Sequence, residues 1–84
     1  MSEMIKMYST KWCGDCRRAK MIFKSESVAY DEIDISDDAE AIAYVEKINN
    51  GLRSVPTIVF PDGTVMVEPS SPDLVNKLRA LRKG

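Results

Sequence analysis

The hydrophobic pattern of this chain changes its period repeatedly, and those changes constrain the fold more than any other sequence feature. Alternating apolar and polar residues predict strands, whereas apolar residues that recur every three or four positions predict helices. Four strands are predicted at residues 4–8, 29–35, 57–60 and 65–67. Three helices are predicted: one from Gly14 to about residue 25, one capped by Ser36, and one capped by Ser71. The predicted order is therefore β-α-β-α-β-β-α.

This order predicts an α/β fold in one domain that spans residues 1–84. The first two strands are joined by a helix, so we expect a right-handed crossover and parallel pairing. The dipeptide Asp62-Gly63 predicts a tight hairpin between the last two strands. Together the strands should form a four-stranded mixed sheet with helices on both faces.

Composition and charge exclude several classes of partner. The net charge of −1 argues against a nucleic-acid or anionic-membrane surface. No apolar run approaches the roughly 20 residues that span a bilayer. Residues 1–4 also lack the basic and apolar regions of a signal peptide. We therefore expect a cytoplasmic monomer that binds neither nucleic acid nor membrane.

Two cysteines, Cys13 and Cys16, lie where the first strand gives way to the first helix. In the cytoplasm such a pair is more often catalytic or metal-binding than structural, although a static disulfide remains an alternative. The chain has no histidine, which excludes Cys-His dyads and histidine metal ligands. Half of a zinc or iron–sulfur site is a further alternative, but a second chain or external thiols would have to complete it. We therefore expect redox chemistry and no metal.

The helix start predicts different roles for the two thiols. Cys13 lies at or just before the first turn, where free N–H groups and the helix dipole stabilise a thiolate. Cys16 lies one turn inside, on the buried face, and should be less acidic. We therefore predict that Cys13 is the nucleophile and Cys16 the resolving thiol, which meet through a mixed disulfide. Asp15 should disfavour a nearby thiolate and Arg17 should favour it, so both are predicted to tune this acidity.

Five short segments, spread over nearly the whole chain, carry a family resemblance: residues 8–16, 30–35, 49–51, 54–57 and 61–63. In this order the chain resembles the glutaredoxins of the thioredoxin fold, and most closely their mycoredoxin-like branch. The resemblance implies reduction of protein disulfides, or of mixed disulfides between a protein and a small thiol. It also implies no tightly bound cofactor, with mycothiol or glutathione as co-substrate and oxidised proteins as partners.

The resemblance further implies where ligands bind. Val55 and Pro56 match the family's cis-proline turn beside the thiols, where the backbone of Val55 would pair with a bound thiol peptide. Lys11 and Arg53 match positions that help to hold a carboxylate of the small thiol. Trp12 precedes the nucleophile, where it would either shield the thiol and touch a partner or simply pack.

Two departures from the family pattern favour mycothiol over glutathione. Residues 14–15, Gly-Asp, replace the proline and aromatic residue that glutathione users carry between the cysteines, and mycoredoxins also tend to have an aromatic residue where Asp15 stands. Residues 67–71 replace the glycine pair of glutathione users and are similar to an Asn-Pro-Ser stretch of mycoredoxin-like proteins. Ser70 and Ser71 would either offer hydroxyl and N–H groups to an anionic ligand or serve only as helix caps.

Two other functions remain open from the sequence. One is a thioredoxin-like electron donor to a reductase partner such as ribonucleotide reductase, although the Trp-Ser-Gly-Phe-like segment of that family is missing. The other is an iron–sulfur-binding carrier module, in which a dimer supplies two Cys13 thiolates and two small thiols complete the ligand set.

Overall fold

The secondary structure follows the predicted order. The structure is a computed structural model that describes residues 4–83, so residues 1–3, on which the argument about a signal peptide partly rests, lie outside it. The elements are β1 (Ile5–Ser9), α1 (Gly14–Ser25), β2 (Tyr30–Asp34), α2 (Ala39–Ile48), β3 (Thr57–Val59), β4 (Val65–Val67) and α3 (Ser71–Lys83). Over the described residues, no helix is both long and apolar enough to cross a bilayer.

The four strands form one mixed sheet in the order β2-β1-β3-β4. The predicted parallel pairing of β1 and β2 is confirmed, with Ile5 opposite Tyr30 at one end of the ladder. Strand β3 is antiparallel to both β1 and β4. The predicted hairpin joins β3 to β4 through Gly63, whose φ of 89° lies in the region that favours glycine.

Two hydrophobic cores lie against the sheet, and β1 contributes to both. Met7 belongs to the larger core with Phe23 of α1 and Leu78 of α3. Tyr8 belongs to the smaller core with Val45 of α2. Because successive strand residues point to opposite faces, α1 and α3 cover one face and α2 the other. The predicted α/β architecture, with helices on both faces, is confirmed.

The predicted cap of α2 is wrong. Asp38 is the N-cap, because its Oδ1 accepts a hydrogen bond from the Ala41 N–H at 3.1 Å. Ser36 instead donates its backbone N–H to Asp34 Oδ1 at 2.8 Å. Residues 36–38 are all good caps by type, so residue preference alone does not choose among them.

The predicted cap of α3 is also wrong, by one residue. Ser70 Oγ accepts from the Asp73 N–H at 3.3 Å, and the Ser70 carbonyl accepts from the Leu74 N–H at 3.0 Å. Ser71 is the first helical residue. Two adjacent serines satisfy the cap preference equally, and the chain uses the first.

Candidate active site

Cys13 is the N-cap of α1, and its sulfur occupies the place of the usual cap oxygen. A short loop connects the end of β1 to this residue, whose backbone is extended (φ −90°, ψ 111°). The Cys13 Sγ accepts a hydrogen bond from the Cys16 N–H at 3.0 Å. One of the unpaired donors of the first helical turn therefore points at this sulfur.

Cys16 lies one turn inside α1, on the same buried face as Ala19 and Phe23. It is 1% exposed, whereas Cys13 is partly exposed, and both are free thiols. Burial, and next the hydrogen bond with Cys13, raise the pKa of Cys16 to about 12. The Thr10 backbone and the charge of Lys20 act in the opposite direction. The helix start thus separates an accessible thiol from a buried one of low acidity.

The loop before β3 approaches the same sulfur from the other side. The Cys13 Sγ–H donates to the carbonyl oxygen of Val55 at 3.6 Å. The Val55–Pro56 peptide bond is cis, as the family resemblance implies. The Pro56 carbonyl accepts from the Glu68 N–H at 2.9 Å, which attaches the segment before α3 to this turn. The fold therefore brings together Cys13, Cys16, Val55 and Pro56, four of the predicted site residues.

A side-chain network that the sequence did not reveal holds this turn. Asn49, at the end of α2, donates its Nδ2 to the Val45 carbonyl at 3.0 Å and to Thr57 Oγ1 at 3.1 Å. The Thr57 hydroxyl, which is fully buried, donates to the Ser54 carbonyl at 2.6 Å. In the sequence, Asn49 stands out only as part of residues 49–51, one of the segments that carry the family resemblance. Its position immediately after a helix and before the turn was the available signal.

A second unpredicted network lies beside Cys16. The Ser9 hydroxyl, on a residue only 1% exposed, donates to Glu32 Oε2 at 2.9 Å. Lys20 Nζ contacts the same carboxylate oxygen at 2.6 Å. The sequence pattern predicts no role for Lys20 or Glu32. The four-residue spacing from Cys16 to Lys20 was the signal that would have linked Lys20 to Cys16.

Comparison with known proteins identifies the family. The glutaredoxin family model matches residues 5–66, which is most of the chain. The chain belongs to the glutaredoxin family. It is 39% identical over 74 residues to a glutaredoxin-like protein of Mycobacterium tuberculosis, covering 88% of each chain. It is 35% identical over 77 residues to mycoredoxin 1 of Corynebacterium glutamicum, covering 92% of this chain and 95% of that one.

The solved structures agree on the fold of this glutaredoxin. The crystal structure of a thioredoxin-like protein superposes with a TM-score of 0.74 at 31% identity. The match covers 88% of this chain and 97% of the other. The predicted thioredoxin fold is confirmed. Members of the glutaredoxin family are thiol–disulfide oxidoreductases that act with small thiols and protein substrates, and this chain carries the thiol pair for that activity.

The charged residues predicted to tune or bind lie on the surface of this glutaredoxin. Asp15 pairs with Arg18, at 2.7 Å, rather than with the exposed Arg17. The Arg53 guanidinium donates to Glu46 Oε2 at 2.8 Å, so a ligand carboxylate would have to compete with Glu46. Lys11 is exposed. The roles assigned to these residues stay predictions.

The remaining predicted residues are Trp12, Ser70 and Ser71. Trp12 is 91% exposed, so the packing alternative for this side chain is wrong. Ser70 Oγ caps α3 and Ser71 begins it, at the end of the segment that Glu68 joins to Pro56. Within residues 4–83, no three cysteine or acidic side chains are grouped as they would be in a metal site.

Proposed function

We propose that this glutaredoxin reduces protein disulfides, or mixed disulfides between a protein and a small thiol, with Cys13 as nucleophile and Cys16 as resolving thiol. The observation that carries the proposal is the asymmetry of the pair. The Cys13 Sγ is partly exposed and accepts the Cys16 N–H at 3.0 Å, whereas the Cys16 side chain is 1% exposed. A substrate disulfide reaches the first sulfur and not the second.

The proposed reaction has two exchange steps. The Cys13 thiolate attacks the small-thiol sulfur of a protein mixed disulfide, and the protein leaves as a thiolate that takes up a proton. A bond now joins Cys13 to the small thiol. Attack on Cys13 by Cys16 then forms the intramolecular disulfide and releases the small thiol. Attack by a second small thiol instead regenerates Cys13 and leaves a disulfide of two small thiols.

The turn at Val55 is proposed as the substrate-binding edge. The Val55 carbonyl already accepts the Cys13 Sγ–H, so a peptide or thiol cofactor paired with this backbone would have its sulfur beside Cys13. Trp12, which is exposed and adjacent to Cys13, would contact the substrate. Lys11 and Arg53 are proposed to hold a carboxylate of the small thiol, and Ser70 and Ser71 to line the opposite side of the turn.

Mycothiol is proposed as the small thiol in preference to glutathione. The relative in Corynebacterium glutamicum is named a mycoredoxin and covers almost the whole chain. Residues 67–71 also lack the glycine pair expected of glutathione users, whereas Asp15 departs from glutathione users and mycoredoxins alike. We further propose that the protein is a cytoplasmic monomer. Its mass in solution, measured by size-exclusion chromatography with light scattering, would test the monomeric state.

The test uses two matched cysteine variants. Cys16→Ser protein retains the nucleophile and traps its adduct, whereas Cys13→Ser protein should form no adduct. Each is incubated with the symmetrical disulfides of mycothiol and of glutathione in parallel, and adducts are counted by intact mass. The proposal expects the mycothiol adduct on Cys13 to form faster. Reductase activity that survives Cys13→Ser but not Cys16→Ser would reverse the assignment, and a faster glutathione adduct would overturn the choice of mycothiol.

A second candidate is a thioredoxin-like electron donor to a reductase partner such as ribonucleotide reductase. It is favoured by the 31% identical solved structure, which is described as thioredoxin-like. This function requires that a flavin-dependent thioredoxin reductase recharge the Cys13–Cys16 disulfide. Reduction by that enzyme at a rate that exceeds reduction by mycothiol or glutathione would select this candidate over the first.

A further inference from the structure

Lys20 lies one helical turn beyond Cys16, and its ammonium group forms an ion pair with Glu32 of strand β2. Residues four apart on a helix lie on the same side, so the Lys20 side chain is a neighbour of Cys16. Its Nζ is 2.6 Å from Glu32 Oε2, and the Ser9 hydroxyl donates to that same oxygen at 2.9 Å. Ser9 is buried, which anchors this end of the network in the protein interior.

We propose that Lys20, held by Glu32 and Ser9, is a positioning residue for closure of the Cys13–Cys16 disulfide. Its ammonium group stabilises the Cys16 sulfur as that sulfur becomes a thiolate. The inference rests on the proposed function, because it requires Cys16 to be the resolving thiol.

Cys16 needs such assistance because it is a poor acid in this environment. Burial and the neighbouring Cys13 raise its pKa to about 12. That value belongs to the reduced protein. In the mixed disulfide Cys13 carries no charge, but burial, the largest cause, remains, so the pKa of Cys16 stays raised and its thiolate stays scarce at neutral pH. The positive charge of Lys20 lowers the pKa of Cys16, and the negative charge of a Cys16 thiolate in turn raises the pKa of Lys20.

The electrostatic surroundings of the pair are simple. Among the described residues, the titratable side chains that act on the Cys16 sulfur are Cys13 and Lys20, both on α1. The groups that act on Lys20 from the sheet are Glu32 and Tyr30 of β2. Tyr30 stacks on Phe23 with ring centroids 4.3 Å apart, which fixes this part of β2 against α1. Glu32 therefore holds the cation and Lys20 supplies the charge.

The step itself balances without a further reactant. Cys16 releases its proton to solvent, and the thiolate attacks the Cys13 sulfur of the mixed disulfide. The bond between Cys13 and the small thiol breaks as the Cys13–Cys16 bond forms. The small thiol leaves as a thiolate and takes up a proton, so no net oxidant is consumed beyond the mixed disulfide. Lys20 stays protonated throughout.

The expected size of the effect follows from thiol reactivity. The Lys20 side chain is 40% exposed, so solvent screens its charge, and loss of that charge should lower the thiolate fraction of Cys16 by at most about fivefold. The remaining thiolate is more basic and hence about twofold more nucleophilic, since the Brønsted coefficient is about 0.4–0.5. The net result is closure that is about twofold slower. Attack by Cys13 on the incoming disulfide does not involve Cys16 as a thiolate, so the first step should be unchanged.

The experiment separates the two steps by mass. Reduced protein is mixed with the symmetrical disulfide of glutathione or mycothiol and quenched in acid at short intervals. The Cys13 adduct and the closed disulfide are then counted by intact mass. The variants are Lys20→Met, the charge-conserving Lys20→Arg, and Lys24→Met, which removes an exposed lysine one turn farther along α1.

We expect closure about twofold slower in Lys20→Met, near-normal closure in Lys20→Arg, and normal closure in Lys24→Met. Adduct formation, measured for Lys20→Met in a Cys16→Ser background, should match that of Cys16→Ser alone. The inference is overturned by normal closure in Lys20→Met, by equal slowing in Lys24→Met or Lys20→Arg, or by equal slowing of adduct formation. If wild-type protein forms no Cys13 adduct at all, the proposed function fails, and this inference fails with it.

Discussion

The burial of Cys16 predicts a large difference in reactivity between the two thiols of the native protein. The pKa of Cys16 is raised from an ordinary value of 9.0 to about 12. At pH 8 about one ordinary thiol in ten is ionised, whereas for Cys16 the fraction is about 10⁻⁴. The thiolate fraction is therefore about 10³-fold lower, but the thiolate is also more basic and hence about 15–30-fold more nucleophilic, for a Brønsted coefficient of about 0.4–0.5. The raised pKa should thus slow alkylation of Cys16 by about 30–60-fold, and its 1% exposure adds a steric barrier.

The assay is alkylation with iodoacetamide at pH 8, followed by intact mass and peptide mapping. The same reaction in concentrated guanidinium supplies the unfolded reference, in which Cys16 should react as an ordinary thiol. In native protein Cys13 should be modified first and Cys16 should be protected by about 30-fold or more relative to the reference. Native Cys16 that reacts within tenfold of its unfolded rate would refute the reasoning from burial.

Three further predictions concern stability. The folded chain holds the Cys16 proton more tightly than the unfolded chain, so the contribution of Cys16 to stability is complete below pH 9 and falls as pH rises towards 12. At pH 10.5 the free energy of unfolding of wild type, measured in urea, should have fallen by about 2 kcal/mol relative to that of Cys16→Ser. Equal losses of stability in the two proteins would contradict this. Asn49→Ala removes two hydrogen bonds beside the Val55 turn and should cost about 1–2 kcal/mol, with slower adduct formation on Cys13; an unchanged urea midpoint would argue against the network. Glu68 has a φ of 47°, which favours glycine, so Glu68→Gly should raise the free energy of unfolding by about 0.5–1 kcal/mol. Gly63 has a φ of 89°, so Gly63→Ala should lower the free energy of unfolding. A destabilised Glu68→Gly would show that the Glu68 side chain matters more to stability than its backbone conformation.

Features set by local periodicity were predictable from the sequence. The strand and helix order, the hairpin at Gly63 and the buried face of α1 that contains Cys16 all follow from residue spacing and turn chemistry. The position of Cys13 at the helix start followed from the same pattern. These features depend on neighbours within a few residues, which is the range over which a sequence pattern is informative.

Choices between equivalent neighbours, and pairings across the fold, were not predictable. Ser70 and Ser71 have the same capping preference, and residue type does not choose between them, although the structure uses the first. The contact of Lys20 with Glu32 depends on how α1 lies on β2, because periodicity specifies a face of each element and not the partner across it.

The left-handed backbone at Glu68 was missed for a different reason. Glutamate gives no sequence signal for a positive φ, whereas a glycine here, as in the glycine pair expected of glutathione users, would have given one. In the sequence, the missing glycine pair was interpreted only as a sign of a different ligand preference. The backbone gives that replacement a conformational meaning as well.

The spacing of the two cysteines explains how Cys16 both donates its N–H to the Cys13 sulfur and buries its own sulfur. With Cys13 as N-cap, Cys16 is the third residue of the helix, and its N–H is the donor that an N-cap side chain accepts. The same position places the Cys16 side chain on the buried face with Ala19. One inserted residue would rotate the second cysteine by about 100°, because a helix has 3.6 residues per turn. That rotation would carry the second sulfur off the buried face, whereas the backbone N–H of whichever residue is third in the helix would still reach the Cys13 sulfur. The three-residue spacing is therefore the source of the difference in burial between the two sulfurs.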